Sequence, residues 1–301
     1  MKLQIIKNRK YYYLASGVLF VASVLAIIAW GLKPGLDFTG GSLLELSFAD
    51  NRPQNAEIQE ATNHLDLGEV IIQPSGDKNV ILKFQNVNED QHQQVLQSID
   101  EKFPGQTQEL RFESIGPVIG QELQKKAWMA IAVASLCIIL YIAFAFRKVS
   151  KPVESWKYGI TAILALIHDI TIVVGLFAVL GHFVGIEVDG LFITALLTIM
   201  GFSVHDTIVV FDRTRENLGR FYTGKFDEVV NDSINQTVTR SINTSLTVLL
   251  VLFCLYLFGG ASTKNFTLAL LVGILIGTYS SIFIASCLLV DWNIWDKKLK
   301  K

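Results

Sequence analysis

The stretch 127-AWMAIAVASLCIILYIAFAF-146 holds 20 residues without a charge. At a rise of 1.5 Å per residue it makes a helix about 30 Å long, the thickness of the hydrocarbon core of a bilayer. Five more runs of that length lie on either side of it. Residues 11–32, 241–260 and 265–290 are uncharged, residues 158–180 carry only Asp169, and residues 190–211 carry only Asp206. Six helices that are apolar all round cannot all be covered by the rest of one soluble chain, so the pattern predicts a membrane bundle of six transmembrane helices.

Only 18% of the 301 residues are charged and 51% are hydrophobic, where a soluble domain carries about 25% charged residues. The deficit is local. Residues 33–126 hold 15 acidic and 8 basic residues, an ordinary soluble density, and the shortage lies outside that block. The chain therefore divides into a short N-terminus with the first helix (1–32), an inserted polar domain (33–126), helices two to six (127–290) and a basic tail (291–301). Lys2, Lys7, Arg9 and Lys10 ahead of the first run mark an uncleaved anchor, since the run is long for a signal peptide. A net charge of -1 argues against nucleic acid as a partner. Cys137, Cys254 and Cys287 stand singly in apolar runs without metal-ligand spacing and read as small core residues; no metal and no cofactor is expected.

Lys and Arg side counts set the orientation. The N-terminus, the second-to-third and fourth-to-fifth connections and the tail hold 17 of them, whereas the short loops of the opposite side hold only Lys264. Both termini are expected in the cytoplasm and the polar block outside, in a multi-pass membrane protein. Within the block, alternating and amphipathic stretches predict strands at 42–48, 69–73, 78–84 and 108–113 and helices at 53–65 and 88–103, with a turn at Ser75-Gly76-Asp77. That order, βαββαβ, is ferredoxin-like, an α+β unit on the outward side of the membrane. His64 and His92 read as solvated helix residues. With no nucleophile elbow, phosphate cradle or Cys pair, the block reads as a binding or lever module, and no enzyme active site is expected.

An ionisable group inside a span costs at least about 2.5 kcal/mol and is a functional candidate by default. Asp206 stands out in the fourth span. On the fifth, Gln236, Arg240, Asn243 and Thr247 recur on one helix face as a polar stripe. Antiparallel neighbours bring Asp206 and Arg240 to similar depth, so an ion pair between them is expected. A proton arriving at Asp206 would break that pair; a static pair fixing helix register is the competing reading. His168-Asp169 reads either as an element of the same path or as a structural hydrogen-bonding pair to the fourth helix, and His205 either as a further element of the path or as a structural packing residue. Gly273 and Gly277 in the sixth span, followed by Thr278, Ser280 and Ser281, predict close helix packing.

These residues bring a family into view. Gly35-Leu36-Asp37-Phe38-Thr39-Gly40-Gly41-Ser42, Gly116-Pro117-Val118-Ile119-Gly120, the run from Gly201 to Asn217, Ser233 to Ser241, Leu257-Phe258-Gly259-Gly260 and Gly277 to Phe283 resemble the signatures of the SecF family. The resemblance covers about residues 10–290. It implies one half of a SecD-SecF pair with a fold related to the RND transporters. Such a pair uses the proton motive force to draw secreted polypeptide from the SecYEG channel. SecD, SecYEG, YajC, the translocating preprotein, protons and the lipid bilayer are the implied partners. By position, Asp206 matches the family's intramembrane carboxylate and Arg240 its basic partner. His205 stands where the family often has Asn, which puts a second titratable group beside Asp206. Two other readings compete: a proton-coupled small-molecule exporter of the RND type, and a scaffold subunit whose buried charges only set register.

Overall fold

The computed structural model describes residues 3–146, 153–220 and 225–299. Lys2, Arg147, Lys148, Lys151, Lys300 and Lys301, which enter the orientation count, lie outside the described residues. Along the chain run α1 (Arg9–Trp30), α2 (Leu36–Thr39), β1 (Gly41–Phe48), α3 (Asn55–Thr62), β2 (Ile71–Ser75), β3 (Asn79–Phe84), α4 (Glu89–Lys102), β4 (Thr107–Ile115) and α5 (Pro117–Ala145). They are followed by α6 (Ser155–Val184), α7 (Gly190–Arg220), α8 (Phe226–Phe258), α9 (Ala261–Ser280), a π-turn (Ser281–Ala285) and α10 (Ser286–Leu299). Two compact units result: Met1–Lys33 with Met129–Lys301, and Pro34–Trp128 between them in sequence.

Six helical segments of the described residues are long and apolar enough to cross a bilayer, the last running from α9 through α10. A helix satisfies all its interior backbone donors and acceptors within itself, so these segments can present apolar side chains outward to lipid. Helices α1, α5 and α8 do so: Leu14, Val18, Phe144 and Val251 are exposed. Helices α6, α7 and the α9–α10 segment form the buried centre. Near the ends of α5 and α7 and the start of α6, Tyr158 stacks on Phe146 at 5.4 Å and meets Phe211 edge-on at 5.3 Å. The small-residue pattern of the last segment acts as expected. A Cβ added at Gly273 would lie 2.2 Å from the Ile199 side chain, and one at Gly277 would lie 3.1 Å from that of Ser203, so α9 approaches α7 closely.

In the second unit the strands form one antiparallel sheet in the order β2-β3-β1-β4. The two βαβ halves interleave, giving the expected ferredoxin-like arrangement. One sheet face contributes Leu44, Leu46, Val80 and Leu82 to a core with Ile58 of α3 and Val95 and Ile99 of α4. Gly40 (φ +75°) has its missing Cβ 2.9 Å from the Pro117 Cα, and that of Gly120 would fall 3.0 Å from the Gly40 nitrogen. The paired glycine motifs thus let the turn before β1 lie against the first turn of α5.

Two expectations need correction. His92 is buried, stacked on Phe112 at 3.7 Å with Glu89 at 3.2 Å and Glu109 at 3.4 Å. Its Asn and Gln neighbours suggested a wet face, but His92, Val95 and Ile99 fall at three- and four-residue intervals and share the inward stripe of α4. Cys137 and Cys254 are exposed and only Cys287 is buried, because the first two lie on the outward faces of α5 and α8, which are as apolar as a core.

Candidate functional site

Asp206 lies on α7 and is 2% exposed. The hydroxyls of Thr278 on α9 and of Ser241 and Ser245 on α8 surround its carboxyl. They hold it loosely. Its Oδ2 is buried without a hydrogen-bond partner, as is the Ser241 Oγ, while the Ser245 and Thr278 hydroxyls bond each other at 2.6 Å. A buried polar atom left in that state is costly and easily changed by a proton.

The expected Asp206–Arg240 ion pair is absent among the described residues, and Arg240 is exposed. The two side chains do not share a face. Consecutive residues project about 100° apart on a helix, so Ser241 turns inward where Arg240 turns away. Helix α8 carries two polar faces. Gln236, Arg240, Asn243 and Thr247 are exposed, whereas Ser233, Thr237, Ser241 and Ser245, spaced four apart, are all buried. The hydroxyl ladder is visible in the sequence as an i, i+4 repeat, but small hydroxyls are also what close packing demands, so it carried no distinct signal.

Asp169 on α6 is the contrasting case. It is fully buried, and its Oδ2 accepts from Ser203 of α7 at 2.6 Å and from Ser280 of α9 at 2.7 Å, while Oδ1 meets the His168 Nδ1 at 2.9 Å. Beside it, the Ser281 hydroxyl donates to the Ser203 carbonyl at 3.0 Å and lies 2.8 Å from the Thr207 Oγ1. Three helices are therefore stitched at one carboxylate, next to the π-turn. The ring of His168 stacks on Phe20 of α1 at 6.2 Å, with a buried Nε2 that has no partner. His205, next to the aspartate in sequence, is exposed.

The end of the bundle that holds the N-terminus is tied by polar contacts. Arg9 and Tyr13 bind Asp291 at 2.8 and 2.9 Å, Lys157 pairs with Asp296, and the amide groups of Asn231 and Asn235 bond the backbone of Leu3. Among the described residues no group of His, Cys, Asp and Glu is placed to hold a metal.

Six apolar helices with a ferredoxin-like insertion between the first and second, and carboxylates buried in the bundle, define an RND-type helical half with an inserted domain. The profile described as protein export membrane protein SecD/SecF, C-terminal, matches residues 94–295, and the SecD/SecF GG motif matches residues 27–51. The chain belongs to the SecD/SecF family of protein export membrane proteins. It is 44% identical to the protein translocase subunit SecF of Thermobaculum terrenum, over 98% of this chain and 95% of that one. It is 39% identical to the protein translocase subunit SecF of Anaerolinea thermophila, over 98% and 97%. The crystal structure of SecDF, a translocon-associated membrane protein, from Thermus thermophilus matches with TM-score 0.82 and 33% identity over 97% of this chain. The present chain spans 39% of the length of that SecDF chain.

Proposed function

We propose that the chain works with SecD as an accessory subunit of the Sec translocase, and that protonation of Asp206 couples the proton motive force to movement of secreted polypeptide beyond the SecYEG channel. The complex would sit in the bacterial inner membrane with both termini of this chain in the cytoplasm, in contact with SecYEG, YajC and the preprotein. No chemical active site is invoked. The observation that carries the reading is the contrast between the two buried carboxylates. Asp169 has its oxygens taken by three donors, whereas Asp206 has an orphaned oxygen facing hydroxyls of two neighbouring helices. A proton added to Asp206 turns an acceptor into a donor, and the unpartnered Ser241 Oγ and the Ser245–Thr278 pair stand ready to repair the contacts. The packing of α7 against α8 and α9 would then have two states.

The energy suffices. One charge moved through 100 mV is worth about 2.3 kcal/mol, so a proton crossing a gradient of about 150 to 200 mV supplies about 3 to 5 kcal/mol, enough to change a two-state ratio by a few hundred-fold. The RND-type exporter reading is less favoured, because full-length relatives of the same length are SecF subunits. Export late in translocation, measured in vesicles carrying Asp206→Asn with and without a proton gradient, tests the switch. The gradient-dependent part is expected to vanish; if it persists unchanged, Asp206 is not the coupling group.

A further inference from the structure

Between α7 and α8, at the end of the bundle where the two helices are joined, lies a cleft of about 300 Å³. Its walls include Val209 and Arg213 from α7 and Gln236, Thr237 and Arg240 from α8, with Asp212 and Glu216 at the rim. Val209 is three residues beyond Asp206, and Thr237 is four residues before Ser241. The cleft's walls therefore come within one helical turn of Asp206 along α7 and of Ser241 along α8, the residues whose Oδ2 and Oγ are buried without partners. The mouth is crossed by hydrogen bonds. The Gln236 Oε1 accepts from the Arg213 Nε and from the Asn217 Nδ2 at 3.2 Å, and Asn217 also donates to Ser233 at 2.8 Å.

We propose that this cleft is the half-channel through which Asp206 exchanges protons with the side bearing the α7–α8 connection, and that Gln236, bonded to Arg213 and Asn217, is its latch. The inference rests on Asp206 as the proton carrier and adds where the proton goes. On release, the O–H bond at Asp206 breaks, the pair of electrons stays on the carboxylate, and a water molecule entering from the cleft takes the proton as hydronium. Among the described residues, the buried Thr237 and Ser241 lie along α8 between them. Arg240, on the cleft wall and without an ion-pair partner among the described residues, places a positive charge beside the path. That charge favours the carboxylate left behind by release. The charged groups bordering the route are Asp212, Arg213, Glu216 and Arg240 around the cleft, with the titratable His205 next to Asp206 in sequence. Arg213 is held by Glu216 at 2.6 Å and Arg215 pairs with Asp212, so Arg240 supplies the field inside.

Thiol accessibility tests this in membrane vesicles that contain the chain with its SecD partner, in a background without Cys137, Cys254 and Cys287. Cysteine is placed at Thr237 or Ser241, and an impermeant anionic methanethiosulfonate is added from one face at a time. Labelling is expected from the face of the α7–α8 connection only, faster at position 237 than at 241. Gln236→Ala should speed labelling at 241 about tenfold, the effect of losing one or two ordinary hydrogen bonds across the mouth. Val209→Cys, on the facing wall, serves if a cysteine on α8 disturbs assembly. Labelling from the opposite face, or a rate at all three positions that Gln236→Ala leaves unchanged, overturns the half-channel. In that event the Asp206→Asn export experiment still decides the coupling role on its own.

Discussion

The hydrogen bonds that each buried aspartate receives set how it should respond to substitution. Asp169→Ala removes the acceptor from Ser203, Ser280 and His168 at once. Each buried group left unpaired costs about 1 to 3 kcal/mol, so this variant should lose about 3 kcal/mol or more and unfold at lower temperature in lipid nanodiscs, while Asp169→Asn loses less. Asp206→Asn should leave the same melting curve within about 1 kcal/mol, because its oxygen has no well-formed bond to lose. If the two variants melt alike, the division into a structural and a labile carboxylate fails. Asp206 was legible because one charge in an apolar run has no cheap explanation. Its surroundings were not, since a charged residue draws the eye to another charge: Arg240 at matching depth looked like the partner, and only the helix rotation shows that the adjacent Ser241 takes the place. For His168-Asp169 the structural reading, a hydrogen-bonding pair to the fourth helix, agrees with the bond from Ser203, whereas nothing in the sequence told that Ser280 of α9 converges there too.

At the scale of elements, the spans and the βαββαβ order were readable because length without charge and two-residue alternation are local properties. The π-turn at Ser281–Ala285 was not. It depends on one extra residue per turn, closed locally by the bond from Ser286 Oγ to the Ser281 carbonyl at 3.1 Å and held against α7 by the contacts of Ser281 with Ser203 and Thr207. The turn lies directly after the close approach of α9 to α7, and Gly277→Leu should separate them. Overpacking of this kind costs about 1 to 3 kcal/mol; a fall in crosslinking between cysteines placed on the two helices would register it, and unchanged crosslinking would mean that the approach is not limited by glycine. In the other unit, Glu60 of α3 takes a hydrogen bond from Lys102 of α4, which holds its carboxyl below the ordinary 4.5. A carboxyl depressed on folding adds stability above its unfolded value and loses it as the pH falls through the folded one. The protection factors of the α3 and α4 amides, measured against the intrinsic exchange rate at each pH, should therefore fall as the pH drops below about 4.5, and only slightly, because the pair is exposed. Glu60→Gln should slow exchange less at neutral pH than the wild-type pair does and flatten that dependence.

For the whole molecule, the outward polar residues of α8 set a requirement that this chain does not meet by itself. Asn243 and Thr247 lie in the apolar part of the helix and are exposed, with Thr247 bonded only to the Thr244 carbonyl at 2.8 Å of its own helix. An amide facing hydrocarbon is costly, and a second helix with polar groups at the same depth would relieve it. The SecDF chain that this structure matches is more than twice as long as the part matched, so a polar helix of the SecD half is the natural cover. Hydrogen bonds between membrane helices are worth about 0.6 kcal/mol on average and at most about 1.7. Replacing both residues, as Asn243→Leu with Thr247→Leu, should thus weaken association with SecD by about tenfold, read as SecD recovered by copurification across a dilution series in mild detergent. Leu250→Ala, which trims an exposed apolar side chain on the same helix, should leave recovery unchanged. The double variant should still insert, since two leucines favour the span. Equal recovery for both variants would place the SecD contact on another face and leave the polar residues of α8 to line water.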